Sequence, residues 1–336
     1  MRPVAVVSYA AVQAGPDDRR NEVELLLPVI RSALDAADVS TVDFTVSGSS
    51  DYLQGQPFAF VQALDAVGAW PPIRETHVEM DGAFALAEAW TVLQHEEEFD
   101  TALVYAFGRP TRGDLHRLLA LQLDPYLVAP LFPDAVSIAG LQARALLDSG
   151  ASERSVAEVV ARDLGRDVDA LLAEPYHADP LRAHDIALVT DGAAAVVLAA
   201  GDRARQLTDR PVWITGIDHR IEPPALGVRD LTRSPSTERA AAGAGVAAGP
   251  VDVAELYTAF AHEELILRPA LGLAADTVVN PSGGVLRGNC PMATGLMRVG
   301  EAARALAGGR GARGVAHATS GPCLQQNLVC VLEVGR

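Results

Sequence analysis

The chain has 336 residues, 49% of them hydrophobic, a formal net charge of −16 and no lysine. A core of that size suits one large α/β unit or several domains, while the acidic balance leaves no basic footprint for nucleic acid or an anionic membrane and the missing lysine removes Schiff-base chemistry. No apolar run reaches membrane-spanning length, and MRPVAVVSYA lacks the pattern of an export signal, so a cytoplasmic protein is expected.

Apolar residues at 4–9 read as an opening strand, followed by the polar loop QAGPDDRRNE and a helix over 22–37 with Leu25, Leu26, Val29, Ile30 and Leu34 on one face. Pro28 lies too deep for a first-turn proline, which predicts a kink there or a start near Leu27. A strand over 41–46 ends in the turn-forming SGSSD. Asp81 and Gly82 open a helix whose apolar face is Phe84, Leu86, Ala87, Trp90 and Leu93, and a buried-type strand follows over 101–106. Repeated alternation of strands and helices points to an α/β sheet.

From 109 to 185 the pattern loosens around one clear helix, Glu153–Leu164, and a proline-bearing return, EPYHADPLRAHD. DGAAAVVL over 191–198 reads as a closely packed strand and GDRARQL as a helix end. Beyond Pro211 come a strand over 212–217, an alanine-rich helix over 235–248, the segment VDVAELYTAF and a short apolar run at 277–279. His262, Glu263 and Glu264 read as a solvated helix face. NPSGG and GNCPMATG then form a glycine loop ahead of a helix that begins near Ala293 and ends at Gly308 and Gly309. Such a loop lets the backbone approach a ligand, and the helix start offers N–H groups to negative charge. Strands over 313–319 and 327–334 flank SGPCLQQ. Three cysteines, Cys290, Cys323 and Cys330, form neither a disulfide framework nor a zinc-type CxxC pair, so no metal is expected. Cys330 alternates with apolar residues as a small buried hydrophobe.

NPSGG followed by GNCPMATG resembles the thiolase signature, in which NxxGG precedes G-H-P-x-G-A-x-G. The resemblance covers nearly the whole chain. It implies an α/β, thiolase-like fold of two βαβαβαββ halves, 1–210 and 211–336, in a layered α-β-α-β-α arrangement, with a loop domain at about 109–185 of the kind in sterol-carrier-protein-type thiolases. Asn289 stands where that signature has its His, Cys290 where it has Pro and Met292 where it has Gly. Tyr257 in ELYTAFAHEEL takes the place of the Asn of N-E-A-F or the His of H-D-C-F. Gly82 matches the nucleophilic Cys, which in thiolases sits at a helix N-terminus that lowers its pKa. The second thiolase Cys, which exchanges a proton at the substrate α-carbon, falls on Cys323, Gly321 or Ser320 according to register. Ala187 stands where many thiolases have a Ser near CoA. Gly82, Ser282, Gly283, Gly284, Ser320 and Gly321 are the implied substrate contacts.

Glycine cannot be acylated, so the match implies a scaffold that has lost the acyl-enzyme step. That pattern resembles the thiolase-like, lipid-transfer-type proteins, including actinobacterial steroid side-chain retro-aldolases with Tyr at the H-D-C-F position and an OB-fold, zinc-ribbon partner. The implied function is a carbon–carbon lyase acting on a bulky β-hydroxyacyl-CoA, with Tyr257 as general base and Asn289, with loop N–H groups, holding the thioester oxygen. Cys323 is the further catalytic candidate. The CoA thioester is then the substrate, and no cofactor is expected. A homodimer is implied, with the strand around Val104 near its interface, and a heterocomplex with an OB-fold zinc-ribbon protein. The alternatives are a non-catalytic lipid- or acyl-CoA-binding subunit and an acetyl-CoA acyltransferase.

Overall fold

A computed structural model describes residues 1–336 except 56, 69–73, 97 and 336. The first half runs β1 (Val4–Ala14), α1 (Glu22–Ala36), β2 (Phe44–Gly48), α2 (Asp51–Gln54), α3 (Ala59–Val67), β3 (Glu75–Val78), α4 (Gly82–His95) and β4 (Thr101–Gly108). An insertion follows with α5 (Leu115–Leu121), α6 (Ala135–Asp148), α7 (Glu153–Leu164), α8 (Val168–Leu172) and the small hairpin β5 (Tyr176–Ala178) and β6 (Leu181–Arg182). β7 (Asp191–Ala200) and α9 (Gly201–Leu207) close this half. The second half runs β8 (Val212–Ile221), α10 (Pro235–Ala244), β9 (Val253–Glu255), α11 (Glu263–Ala270), β10 (Val278–Val279), α12 (Thr294–Ala307), β11 (Arg313–Ser320) and β12 (Gln326–Glu333).

The strand order is β10-β9-β11-β12-β8-β1-β7-β4-β2-β3. Numbered within each half, leaving aside the β5–β6 hairpin, both read 3-2-4-5-1 from the outer edge inward, so the repeat implied by the resemblance is present in the topology. Strand senses repeat as well. β2 is parallel to β3 and β4 while β7 is antiparallel to β4 and β1, and β9 is parallel to β10 and β11 while β12 is antiparallel to β11 and β8. The halves meet where Val4, Ala5 and Val6 of β1 pair antiparallel with Ile214, Trp213 and Val212 of β8.

Alternating strand residues sort the core into layers, because successive side chains leave a sheet on opposite faces. Val46, Val104, Val196 and Leu198 of the first half, with Ala316, Leu328 and Cys330 of the second, face inward on α4 and α12. Leu103, Tyr105, Ala195 and Val197 point the other way, onto Leu26, Val29 and Ile30 of α1. Val315, Val329 and Val331 likewise meet Ala240 and Ala241 of α10 and Leu267 of α11. The result is an α-β-α-β-α stack with α4 and α12 in the middle. Central position explains composition: α12 buries Thr294 through Gly300 without interruption, and β7, covered on both faces, buries all ten of its residues.

Three sequence expectations change. α1 runs through Pro28 from Glu22 rather than starting near Leu27. Its start is fixed by a capping box, with the Asn21 side chain accepting the Glu24 N–H and the Glu24 carboxylate accepting the Asn21 N–H. GDRARQL is a short helix of its own, α9. Val104 is fully buried between β2 and β7, so the strand around it lies inside the sheet; the outer edge of that half is β3.

Candidate active site

Three loops from the second half meet the insertion around one cavity of about 610 Å³. On the insertion side its wall is apolar, with Leu115, Leu119, Leu123, Val136, Ile138 and Ala139. The opposite wall carries Tyr257, Phe260, Glu263, Asn289, Met292 and Cys323. His116 and His177 add polar edges among the apolar residues.

Backbone pairing places the two central side chains. Asn289 lies in a short bridge in which its N–H donates to Leu188 O at 2.7 Å and its carbonyl accepts the Thr190 N–H at 2.8 Å. Tyr257 follows β9 and is held through Leu256, whose N–H donates to Asn280 Oδ1 at 2.8 Å. The Tyr257 hydroxyl then donates to Asn289 Oδ1 at 2.8 Å. Thr294 Oγ1 accepts the Cys290 N–H at 2.9 Å and lies 3.1 Å from the same Oδ1. With its oxygen so occupied, Asn289 keeps Nδ2 free of protein partners among the described residues, at the cavity wall. Burial, reinforced by the negative charge of Asp81, holds the Tyr257 pKa well above 10, so the phenol is a neutral donor.

Beneath this pair, Asp81 caps α4 and reaches α12. Its Oδ1 accepts N–H groups of Ala83 at 2.9 Å and Leu296 at 3.0 Å, and its Oδ2 accepts that of Gly295 at 2.9 Å. The positive ends of both central helices are thus satisfied inside the protein. Burial nonetheless outweighs the three donors and lifts the Asp81 pKa to about 7. Gly82 does not line the cavity. A Cβ there would lie 2.5 Å from Ala106 Cβ and 3.0 Å from Leu296 Cβ, so the position is closed to any side chain.

The glycine loop also lies behind the cavity rather than in it. Ser282 donates its N–H to Glu255 Oε1 at 3.0 Å and its hydroxyl to Glu255 Oε2 at 2.8 Å, while Arg298 Nη1 donates to that Oε2 at 2.6 Å. Gly283 and Gly284 complete the turn and are not lining residues. Ser320, Gly321 and Cys323 do line it, so of the sequence candidates Tyr257, Asn289, Cys323, Ser320 and Gly321 come together and Gly82, Ser282, Gly283 and Gly284 do not. Arg229 fixes the Cys323 loop by donating to the Pro322 and Cys323 carbonyls. Burial pushes the Cys323 thiol up to about 12. Cys290 and Cys330 are fully buried in the central core, and both thiols are pushed up by burial.

His262, Glu263 and Glu264 are buried, at 0%, 4% and 1% exposure, and form no solvated face. Glu264 is neutralised by Arg162 at 2.6 Å, with Arg268 at 3.5 Å. Glu263 faces the cavity with no arginine beside it among the described residues. The apolar neighbours Ala259, Phe260, Ala261, Leu265 and Ile266 were the available sequence signal that this helix start is enclosed.

The two-half stack is matched in solved structures. The Ltp2-ChsH2(DUF35) aldolase superposes with a TM-score of 0.79 at 16% identity over 98% of this chain and 97% of that one. Human mitochondrial 3-ketoacyl-CoA thiolase gives 0.79 at 17% identity over 100% and 99%. This chain has the thiolase fold. A monomeric SCP2-thiolase like protein type 1 from Mycobacterium smegmatis shares that fold, with a TM-score of 0.78 at 18% identity over 98% of this chain and 77% of that chain. In sequence, the acetyl-CoA acetyltransferase of Methanothermobacter thermautotrophicus is 33% identical over 177 residues, 46% of either chain. The Escherichia coli 3-oxoadipyl-CoA/3-oxo-5,6-dehydrosuberyl-CoA thiolase is 32% identical over 136 residues, 39% of this chain and 33% of its own length. The matches therefore span less than half the length of these curated thiolases. No family model matches the chain.

Proposed function

We propose that this thiolase-fold protein is a carbon–carbon lyase that cleaves a bulky β-hydroxyacyl-CoA by a retro-aldol reaction. The observation that carries the reading is the Tyr257–Asn289 hydrogen bond at 2.8 Å in the cavity wall, above two helix ends already consumed by Asp81. Acyl transfer needs a thiolate. Gly82 has no room for one, and Cys323, the cysteine at the wall, is held as a neutral thiol. A retro-aldol cleavage needs instead a proton acceptor for the β-hydroxyl and donors for the enolate oxygen. Asn289 Nδ2 supplies one donor, and the neutral Tyr257 phenol, whose single hydrogen goes to Asn289 Oδ1 and whose raised pKa disfavours its acting as a base, fixes that amide with Nδ2 at the cavity wall. The apolar insertion wall suits a large hydrocarbon acyl group. An OB-fold zinc-ribbon partner, consistent with the two proteins named for the aldolase neighbour, would extend the acyl tunnel, and a homodimer remains part of the proposal.

The test is to incubate the chain, alone and with such a partner, with a β-hydroxyacyl-CoA. Release of a ketone or aldehyde is the expected result. Binding without turnover would replace the lyase with the acyl-CoA carrier reading. CoA-dependent shortening of a β-ketoacyl-CoA would replace it with the thiolase reading.

A further inference from the structure

We infer that Glu263 is the acid–base residue of this site, taking the β-hydroxyl proton and returning it to the α-carbon. The inference rests on the lyase reading. Glu263 is the first residue of α11, 4% exposed, and it lines the cavity together with Tyr257, Asn289 and Cys323. It folds back over its own helix start, where Oε2 accepts the Phe260 N–H at 3.2 Å.

The neighbouring carboxyl shows what a structural role looks like here. Glu264 is likewise buried and carries two arginine contacts, so its place is that of an ion-pair partner. Glu263 has no ion pair among the described residues, and it belongs to the cavity wall. A carboxyl kept buried and unpaired beside a substrate space is what proton transfer requires, since both of its forms must be reachable. Burial lifts its pKa to about 8. Its charge acts on both the Tyr257 phenol and the Cys323 thiol, raising each, which places the carboxylate within electrostatic reach of both.

The step balances without any further reagent. The Glu263 carboxylate accepts the β-hydroxyl proton, and the O–H electron pair becomes the new C=O bond. The Cα–Cβ bond breaks, and its electrons pass to the thioester oxygen as an enolate held by Asn289 Nδ2, which the Tyr257 hydroxyl keeps in place. The proton on Glu263 then moves to Cα, leaving a ketone or aldehyde and a shortened acyl-CoA. Because the carboxylate form starts the reaction, kcat/KM should rise with pH through about 8. The other groups around Glu263 are the Tyr257 phenol, on which Asp81 acts, the Cys323 thiol with Arg229 behind it, His262 on its own helix start, and His116 and His177 on the insertion side. His262, pushed down to about 3, is neutral throughout that range.

Two readouts separate this inference from the lyase reading: cleavage of a β-hydroxyacyl-CoA, and exchange of the α-protons of acetyl-CoA or propionyl-CoA in D₂O, which needs no β-hydroxyl. Glu263→Gln should lose about 100-fold or more in both and lose the limb near pH 8, while Glu263→Asp recovers part of the rate with a displaced limb. A purely structural Glu263 would not give that recovery or move the limb. Wild-type exchange without cleavage would overturn the lyase reading and support Glu263. Glu263→Gln cleaving and exchanging within about threefold of wild type would overturn Glu263 and leave the lyase standing. A wild type that does neither would overturn both.

Discussion

Asp81 and Gly295 belong to opposite halves of the chain, and the carboxylate of the first accepts the amide hydrogen of the second at 2.9 Å. That contact leaves no space for a side chain: a Cβ on Gly295 would lie 2.3 Å from Asp81 Oδ1. One carboxylate thereby caps α4, whose N-terminus it begins, and α12, which it reaches across the molecule. A thiolase would use such helix ends to stabilise a thiolate. Here they stabilise a fixed internal group.

Restoring a cysteine at position 82 should therefore not restore thiolase chemistry. In Gly82→Cys the new Cβ meets Ala106 Cβ at 2.5 Å, an overpacking that costs about 1–3 kcal/mol or more. The expected outcome is a lowered Tm in thermal unfolding and no acyl-enzyme by mass spectrometry after incubation with an acyl-CoA.

Tyr257→Phe removes one hydroxyl and keeps the ring. Loss of the hydroxyl that fixes Asn289 should slow cleavage by about 100-fold, while acyl-CoA affinity measured by calorimetry stays nearly unchanged. Normal cleavage by this variant would remove Tyr257 from the chemistry.

Cys323 lines the cavity as a neutral thiol whose Sγ contacts Ile138 O at 3.6 Å. Cys323→Ser should keep cleavage within about tenfold of wild type, a barrier change of no more than about 1.4 kcal/mol. A folded but inactive variant would assign the sulfur a direct chemical part.

The motif loop is held by a buried ion pair, Arg298 to Glu255 at 2.6 Å, with side-chain exposures of 6% and 0%. Arg298→Met strands the carboxylate and should cost about 3–5 kcal/mol, whereas Ser282→Ala, which removes hydroxyl contacts alone, should cost about 1–2 kcal/mol. Urea unfolding of both variants checks the order.

Folding raises the Glu263 pKa from its ordinary 4.5 to about 8. Its contribution to stability is therefore fully present below about pH 4 and is lost as pH climbs through about 8, because the unfolded chain ionises first. Glutamine mimics the neutral acid at every pH. The unfolding free energy of Glu263→Gln relative to wild type, from urea titrations, should thus rise between pH 5 and pH 9, approaching a difference on the order of 5 kcal/mol. A pH-independent gap would contradict the raised pKa.

The fold was legible because its signals are local and periodic. The apolar run of β7, the NPSGG turn and the helix face of α12 can each be read in place, whereas Tyr257 and Asn289 stand out only through the resemblance to the thiolase motifs. What sequence could not supply was direction. Ser282 belongs to the same motif as Asn289 yet turns to the Glu255–Arg298 pair, and Gly82 begins a helix whose Cα, not a side chain, fits against Ala106. Glu263 was misread for a related reason. Two adjacent glutamates ordinarily mark a wet helix face, and only the fold reveals that one meets Arg162 and the other meets the cavity.

The seam between β1 and β8 bears on how a ligand gets in. With Val4, Ala5 and Val6 hydrogen-bonded across to the second half, and α4 and α12 capped by one carboxylate, the halves share a single continuous framework. Swinging them apart as rigid jaws would break that pairing and uncap both helices at once. Among the described residues, no hydrogen bond ties α5 to that seam. Admission and release of a long acyl chain are then matters for the segment carrying Leu115, Leu119 and Leu123, and stiffening or trimming that segment should change entry and exit rates while leaving the bond-breaking step as it was.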